Sequence, residues 1–388
     1  MSERESTVKV VTNEHSRDVL AKAKRIVVKV GTSTLTYDTG RLNLRRIESI
    51  VKQLADLANQ GKEIILVSSG AVGAGLAPLG FKEKPKDLVM KQAAASVGQG
   101  VLLHMYEKLF REYGHTVGQI LLTREDSMNR SRYINLRNTL YALISLGVIP
   151  IINENDVVSI DEVKIGDNDT LSAVIASTVE ADLLIILSDI EGLYTANPQT
   201  NPDAELIHEV DVITPHIYEI AGGAGTSRGT GGMYTKIQAA NIAVNSGVHM
   251  VIASGERNDS IEVIAAGGLR GTHFVARDSK PHMKKRWVAF GKRLKGSVTV
   301  DKGCADALLK KGSSLLPVGI TAVSGEFHEG ETISILFNDE EIARGMVNFS
   351  SADLNQIKGC NSHEITSILK IDSAHTEVIH RDNLVILR

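Results

Sequence analysis

The sequence predicts an α/β domain with a mainly parallel open sheet sandwiched by helices, followed by a small β-rich domain. Between residues 25 and 275, runs of Val, Ile and Leu alternate with amphipathic stretches. The runs are apolar on successive residues, which is typical of parallel strands buried on both faces. After Ala276 the chain becomes basic and contains a proline, and short strand-like pieces then alternate with Gly-containing turns. This change predicts the second domain.

Six apolar runs are predicted to be strands of the first domain. They are RIVVKV (25–30), EIILVS (63–68), TVGQILL (116–122), VIPII (148–152), DLLIIL (182–187) and VHMVIA (248–253). Between the first two, apolar residues from Leu44 to Leu57 recur at spacings of three and four, which predicts an amphipathic helix. Ligands of such sheets bind at the carboxyl ends of the strands, so the residues that follow each run are candidate site residues.

The predicted domain boundaries follow these changes in pattern. A chain of 388 residues exceeds the usual size of a single core, so two domains are expected. We predict an N-terminal extension (1–24), an α/β domain (25–278), a linker (279–295), a β-rich domain (296–375) and a C-terminal tail (376–388).

The composition argues against several classes of protein. A net charge of −3 gives no overall attraction to nucleic acids or membrane surfaces. No apolar run approaches the roughly 20 residues that cross a bilayer, and the charged N-terminus lacks the apolar core of a signal peptide. Two cysteines, Cys304 and Cys360, suit a reducing compartment. We therefore expect a cytoplasmic protein.

The first two strands end in turns that suit an anion. VVKVGTSTL (27–35) places Lys29 inside a buried strand, where an unpaired ammonium group is costly. Gly31 then lets backbone N–H groups approach a phosphate. VSSGAVGAG (67–75) is a Ser- and Gly-rich turn that should open a helix. Each turn also has a purely structural interpretation, with a lysine that reaches solvent and glycines that only serve the turn.

Two clusters of Asn and Asp follow the fourth strand. NEND (153–156) comes directly after it, and GDND (166–169) precedes an apolar helical stretch. A helix N-cap alone would account for the second cluster. Together, the clusters can bind the ammonium group of an amino acid and orient charged catalytic groups.

Two later motifs complete the set. LSDIEGLYTANP (187–198) places Ser188 and Asp189 at the end of a buried strand, and GTGGMYTK (229–236) is a glycine-dense loop that ends in Lys236. Flexible glycine with a lysine is suited to closing over nucleotide phosphates, although a surface loop accounts for the pattern equally well. Neither a Rossmann nor a Walker motif is present in the sequence.

These residues predict phosphoryl transfer. Two lysines and several glycine-rich turns, without a dense carboxylate cluster, are typical of catalysis by positioning and charge neutralisation. The acceptor is predicted to be a carboxylate. With a pKa of about 4.3 for a glutamate side chain, it is already ionised at neutral pH and needs no general base.

With these motifs in this order, the chain resembles the bacterial glutamate 5-kinases of the amino-acid kinase superfamily. The resemblance covers essentially the whole chain, and GSSLLPVGI (312–320) with the segment after it looks like a PUA domain. It implies the amino-acid kinase fold, ATP with Mg²⁺, and L-glutamate as the acceptor. The product would be L-glutamyl 5-phosphate, in proline biosynthesis. It further implies feedback inhibition by proline, a homo-oligomer (dimer or tetramer) and no association with membranes.

The resemblance also implies roles for single residues. Lys29 and Lys236 match two lysines on the phosphate side, and Asp169 matches the aspartate that organises them. The glutamate-binding positions matched are Ser69, Asp156 and Asn168. The ATP-binding positions matched are Lys29, Ser188, Asp189, Thr230, Gly231, Gly232, Met233, Tyr234, Thr235 and Lys236. No metal ligand from the protein is implied, since Mg²⁺ would arrive with ATP.

Two alternatives stay open at this point. Another kinase of the same superfamily would share the fold and the lysines but act on acetylglutamate, aspartate or a nucleoside monophosphate. A different class of function is RNA binding through the PUA-like domain. Aromatic residues are only 4% of the chain, and single-stranded RNA is usually bound by stacked aromatics in a basic groove. The composition therefore argues against RNA binding.

Overall fold

The computed structural model describes most of the chain, and it divides the chain into two compact units. Apart from the short stretch 127–130, the chain up to residue 280 forms the first unit and residues 281–388 form the second. The domain boundaries given above stay a prediction. The residues described are 17–37, 41–81, 83–123, 126, 130–158, 168–198, 200–222, 232–277, 294, 296–361, 364–369 and 377–387.

An eight-stranded sheet forms the centre of the first unit. Its strands are β1 (Arg25–Val30), β2 (Glu63–Ser68), β3 (Val117–Leu122), β4 (Ile149–Glu154), β5 (Leu183–Ser188), β6 (Glu209–Val210), β7 (His249–Ser254) and β8 (Thr272–Phe274). They lie in the order β3-β4-β2-β1-β5-β7-β8-β6. All neighbouring pairs are parallel except β7 and β8. The predicted mainly parallel sheet is therefore confirmed, and all six predicted strands belong to it.

Helices connect these strands and cover both faces of the sheet. They are α1 (Asp18–Ala21), α2 (Thr32–Leu35), α3 (Leu44–Asn59), α4 (Ala71–Leu76), α5 (Leu88–Glu112), α6 (Arg130–Ser145), α7 (Asn168–Thr178), α8 (Pro215–Ile220), α9 (Met233–Asn245) and α10 (Ser260–Ala265). The predicted amphipathic helix is α3, which Asn43 caps by accepting from the backbone N–H of Arg46 at 3.1 Å.

Strand alternation sends the two sets of β1 side chains to different cores. Ile26, Val28 and Val30 pack on the side of α3 and α5. Val27 packs on the side of α7 and α9. Because side chains of a strand alternate between its two faces, Lys29 points to the same side as Val27. The lysine is thus aimed at the two helices that carry the later motifs.

The order of the strands makes the region between β1 and β5 the switch point of the sheet. From β1 the chain moves through β2 to the outer strands β3 and β4, and it then returns to β5 on the other side of β1. Connections therefore leave β1 and β5 in opposite directions along the sheet. A ligand of an open α/β sheet binds at such a switch point, outside the carboxyl ends of the strands.

The Ser- and Gly-rich turn after β2 is held by close packing of two helices. Gly70 has φ +89°, a conformation that favours glycine, and α4 begins directly after it. A Cβ atom on Gly75 would lie 1.9 Å from the carbonyl oxygen of Ala94, and one on Gly98 would lie 1.7 Å from that of Ala71. Only glycine therefore allows α4 and α5 to approach this closely.

Arg17 connects the N-terminal part of the first unit to the segments that precede β6 and β8, at one edge of the sheet. Its guanidinium group donates to the carbonyl oxygens of His208 (2.8 Å), Gly268 (3.1 Å), Arg270 (2.8 Å) and Gly271 (3.0 Å). Burial lowers the pKa of Arg17 to about 10, which leaves the group charged at neutral pH. This residue lies in the predicted N-terminal extension (1–24), for which no role is expected from the sequence.

The second unit is a five-stranded sheet with its own core. Its strands are β9 (Gly296–Val300), β10 (Ile320–Gly325), β11 (Thr332–Phe337), β12 (Glu340–Met346) and β13 (Leu384–Ile386), in the order β10-β9-β11-β12-β13. Asn338 and Asp339 join β11 and β12 with φ of 50° and 62°, as a two-residue hairpin turn of right-handed twist requires. Strand β13 comes from the predicted C-terminal tail and pairs with β12.

Three short helices complete the second unit. They are α11 (Lys302–Lys311), α12 (Ser351–Ile357) and α13 (Ile365–Leu369). Asp301 caps α11 by accepting from the backbone N–H of Cys304 at 2.7 Å. Within the described ranges of both units, no helix has the length and apolar character needed to cross a membrane.

A buried histidine, His273, contacts the half-buried His249 near the edge strands of the first unit. The backbone N–H of Ala276 donates to Nδ1 of His249 (3.2 Å), so that nitrogen carries no proton, and Nε2 of His273, 3.0 Å from it, must be the donor. Nδ1 of His273 lies 3.8 Å from Oε2 of Glu209. Burial first, then the nearby His249 and Arg17, lower the pKa of His273 to about 3.

This shift predicts how stability depends on pH. Between about pH 6.5 and pH 3, the unfolded chain binds a proton at residue 273 that the folded chain does not. The free energy of unfolding should therefore fall as the pH falls through this window, by up to about 1.4 kcal/mol per pH unit from this group. We expect urea unfolding at several pH values to show that the free energy of unfolding of His273→Gln changes less steeply with pH than that of the wild-type protein. His216→Gln, at an exposed histidine, should keep the original slope, and equal slopes in all three proteins would contradict the assignment.

Candidate active site

Three charged side chains meet beyond the carboxyl end of β1. Nζ of Lys29 lies 2.6 Å from Oδ1 of Asp169, and Nζ of Lys236 lies 3.2 Å from Oδ2 of the same carboxylate. All three are buried, with 4%, 0% and 4% of Lys29, Asp169 and Lys236 exposed. The sequence predicted these residues from three separate motifs, and the structure brings them together.

The charge of this group sets its chemistry. With both lysines protonated and the aspartate ionised, the three side chains carry a net charge of +1. Two ammonium groups beside one carboxylate can donate charge-assisted hydrogen bonds, which suits them to an anionic ligand such as phosphate. The ammonium group of Lys29 also lies beside the turn after β1, since a Cβ atom on Gly31 would be 3.6 Å from Nζ. A phosphate at this turn would meet both the ammonium and backbone N–H groups.

Helix starts add to the positive potential. Asp169 lies in the first turn of α7, and Lys236 lies in the first turn of α9, where Gly232 is the N-cap residue. The N-terminal ends of helices favour negative charge. The first turn of α9, which contains Lys236, lies beside Asp169. The hydroxyl of Thr235 lies 3.2 Å from Oδ2 of Asp169 and 2.8 Å from the carbonyl oxygen of Gly232.

The predicted ATP-binding residues fall into three groups. The first turn of α9 is formed by Met233, Tyr234, Thr235 and Lys236. These four residues are therefore helical, whereas the sequence analysis placed them in a glycine-dense loop. Thr230 and Gly231 lie outside the described residues, as does Asp167 of the GDND motif. Ser188 ends β5, the neighbour of β1, and its hydroxyl donates to Oδ1 of Asp189 at 2.9 Å.

Asn168 joins the turn after β2 to the end of β4. Its Nδ2 donates to the carbonyl oxygen of Ser68 (2.7 Å) and to Oδ1 of Asn153 (2.8 Å), and it lies 3.0 Å from Oγ of Ser69. Two of the three predicted glutamate-binding residues, Ser69 and Asn168, are therefore in contact. The third, Asp156, lies two residues beyond the end of β4 and is partly exposed.

Three residues near this network are not among the site residues that the family resemblance implies. Gln99 on α5 contacts Asn153, with its Oε1 accepting from Nδ2 at 3.2 Å. Tyr106, also on α5, lies 3.0 Å from Oγ of Ser68, and burial raises the pKa of Tyr106 to about 12. Asn153 itself belongs to the NEND motif, which the sequence analysis gave as a candidate cluster without assigning a role to this residue. Gln99 and Tyr106 gave no comparable signal.

The described residues contain no cluster of three or more His, Cys, Asp or Glu side chains that could hold a metal ion. Both carboxylate oxygens of Asp169 are within ion-pair distance of lysines. This carboxylate is therefore placed to organise cations of the protein.

Comparison with known families agrees with this geometry. The profile of the amino acid kinase family matches residues 24–254, and that of the PUA domain matches residues 296–369. The fold and the site thus define a kinase domain followed by a PUA domain, and the predicted PUA-like segment is confirmed.

Curated relatives show to which branch of the amino acid kinase family the chain belongs. The glutamate 5-kinase of Caldanaerobacter subterraneus subsp. tengcongensis is 53% identical over 364 residues, which is 94% of this chain and 98% of the relative. That of Moorella thermoacetica is 51% identical over 378 residues, which is 97% of this chain and 100% of the relative. That of Carboxydothermus hydrogenoformans is 48% identical over 373 residues, covering 96% and 100% of the two chains. The chain therefore belongs to the amino acid kinase family, in its glutamate 5-kinase branch.

The charge balance of the site can be tested through stability. Asp169→Asn leaves two buried ammonium groups without their shared carboxylate, and we expect it to lower the free energy of unfolding by about 3–5 kcal/mol. Lys29→Met leaves a neutral pair of Lys236 and Asp169, so its cost should be clearly smaller. Glu191→Gln, which breaks an exposed ion pair with Arg257, should cost less than about 1 kcal/mol.

Urea unfolding of these variants measures their free energies of unfolding and hence the order of the three losses. Equal losses for Asp169→Asn and Lys29→Met, or a larger loss for the lysine variant, would show that excess positive charge does not govern the site.

Proposed function

We propose that the chain transfers the γ-phosphoryl group of ATP to the side-chain carboxylate of L-glutamate, giving L-glutamyl 5-phosphate and ADP. The observation that carries this proposal is the pair of buried lysines on one aspartate, beside the turn after β1. Relatives of about 50% identity over nearly the whole chain are named glutamate 5-kinase, which supports the same acceptor. They do not favour acetylglutamate, aspartate or a nucleotide as the acceptor.

The reaction needs few chemical groups from the protein. A side-chain oxygen of glutamate attacks the γ-phosphorus, a new phosphorus–oxygen bond forms, and the bond to the β-phosphate oxygen breaks. The acceptor is already ionised, so no proton has to be removed. Lys29 and Lys236 are proposed to neutralise charge on the transferred group and its leaving oxygen, and Asp169 to hold the two ammonium groups in place.

The remaining contacts divide between the two substrates. Ser69, Asp156 and Asn168 are proposed to bind glutamate at the ends of β2 and β4. ATP is proposed to bind to Ser188 and Asp189 at the carboxyl end of β5. It is also proposed to bind to the segment from Thr230 to Lys236, which leads into α9. The two substrates would then meet above β1, at the switch point of the sheet.

Four finer features of the proposal are supported by the family resemblance. We propose that Mg²⁺ enters with ATP and shields the phosphate oxygens, since the described carboxylate of the site is engaged by lysines. We also propose that proline inhibits the enzyme, that the chain forms a dimer or tetramer, and that it works in the cytoplasm. The product suits a place in proline biosynthesis, as its enzyme class implies.

The central test is a kinase assay with L-glutamate. ADP should be released only when glutamate is present, and hydroxylamine should trap the acyl phosphate as a hydroxamate. Lys29→Ala and Lys236→Ala should each lower kcat on the order of a hundredfold or more, because they remove charge stabilisation of the transition state. Lys310→Ala, at an exposed lysine of the second unit, is the control and should keep full activity. Near-normal turnover in both site variants would exclude the proposed roles.

Acceptor choice is a separate test. With ATP and wild-type protein, L-glutamate should be phosphorylated far better than acetylglutamate, aspartate or a nucleoside monophosphate, since only glutamate combines the side-chain carboxylate with a free ammonium group at this spacing. ADP release and hydroxamate formation across the panel measure this. Faster turnover with any other acceptor would assign the chain to a different substrate class. Addition of proline to the same assay tests the proposed inhibition.

A further inference from the structure

A chain of amide hydrogen bonds runs from helix α5 to Asn168. Nε2 of Gln99 donates to the carbonyl oxygen of Glu154 at 3.1 Å, and Oε1 of Gln99 accepts from Nδ2 of Asn153 at 3.2 Å. Oδ1 of Asn153 in turn accepts from Nδ2 of Asn168 at 2.8 Å. A helix without any predicted site residue is thereby linked to a proposed glutamate-binding side chain.

Backbone groups fix the direction of each amide in this chain. A carbonyl oxygen only accepts, so Gln99 must present its NH₂ group to Glu154 and its Oε1 to Asn153. The backbone N–H of Glu154 donates to Oδ1 of Asn153 at 2.9 Å, which independently orients that side chain. At the far end, the carbonyl oxygen of Ser68 accepts from Nδ2 of Asn168 at 2.7 Å. The orientation of the three side-chain amides therefore follows from the backbone donors and acceptors that they contact.

The consequence is a defined polarity at Asn168. Its NH₂ group is turned toward the protein, and its Oδ1 lies on the other side of the amide. Among the residues that the structure describes, none donates a hydrogen bond to this oxygen. Asn168 remains 8% exposed. An oxygen that can only accept is suited to a ligand with N–H donors, and the ammonium group of an amino acid carries three.

We propose that Gln99 is a positioning residue for the acceptor. Together with the backbone groups of Glu154 and Ser68, it holds Asn153, and through it Asn168, in the orientation that presents a carbonyl oxygen to the ammonium group of glutamate. This inference rests on the proposed function. Without Gln99, the buried Nδ2 of Asn153 loses its acceptor, and the two asparagine amides lose a restraint on their orientation. An amide turned by 180° would present N–H groups to an ammonium.

The first test is steady-state kinetics of Gln99→Met, which keeps the length of the side chain and removes its amide. We expect the KM for glutamate to rise about tenfold, as loss of one buried hydrogen bond does. The KM for ATP and kcat at saturating glutamate should change less than about threefold, because the interaction concerns binding of one substrate only.

Gln53 provides a matched control. It is also a buried helical glutamine, 3% exposed against 9% for Gln99, and it lies on α3. Its Nε2 donates to the carbonyl oxygen of Ser49 at 3.2 Å, and its Oε1 accepts from the backbone N–H of Ile261 at 3.0 Å. Gln53→Met should lower stability to a similar extent and leave the KM for glutamate unchanged. An equal rise in both variants, or no rise in Gln99→Met, would overturn the proposal.

A double variant tests whether Gln99 acts through Asn168. In the background of Asn168→Ala, Gln99→Met should raise the KM for glutamate by less than about twofold, because the coupled partner is gone. Fully additive effects would overturn the proposed path. If Gln99→Met does not fold, Gln99→Ala replaces it, since alanine makes no steric demand and is favourable in a helix.

The same measurements separate this proposal from the proposed function. Wild-type protein without glutamate-dependent ADP release would overturn both. Active wild-type protein together with an unchanged KM in the Gln99 variant would overturn the positioning role alone.

Discussion

One carboxylate, that of Asp169, holds two buried ammonium groups, and much of the first unit serves to bring these three side chains to one point. Strand alternation directs Lys29 from β1 toward the helices α7 and α9. Each helix then supplies one residue of its first turn, Asp169 and Lys236. Two ammonium groups beside one carboxylate suit a phosphate ligand, so fold and chemistry depend on the same ion pairs.

The first turn of α7 also joins the two halves of the site. Asn168 and Asp169 are consecutive, and neighbours on a helix point about 100° apart. One side chain therefore contacts the neutral amides at the ends of β2 and β4, while the other contacts the lysines. In the proposed reaction, the separation between the acceptor and the transferred phosphoryl group would thus be set within a single helical turn. Such rigid placement is what a reaction dominated by positioning requires.

The sequence was most informative where local pattern determines structure. Apolar runs identified the six strands, because strands buried on both faces are mostly apolar on successive residues. A lysine inside one of these runs and the GDND motif before a helical stretch then marked Lys29, Asn168 and Asp169 as candidates. Contacts between distant segments could not be read in this way. Gln99 has the local context of any polar residue on a helix, and its partners lie 54 and 55 residues away. Arg17 contacts segments as far as 254 residues away.

The guanidinium group of Arg17 acts as a built-in cation. Four carbonyl oxygens surround its nitrogens, as oxygens surround a bound metal ion, but this charge is covalently part of the chain and cannot dissociate. Because the contact is buried, dissolved salt should screen it little. A lysine would not replace it, since a single ammonium lacks the planar fork that reaches several acceptors. Shortening the protein past this residue would therefore release an edge of the sheet far away in sequence.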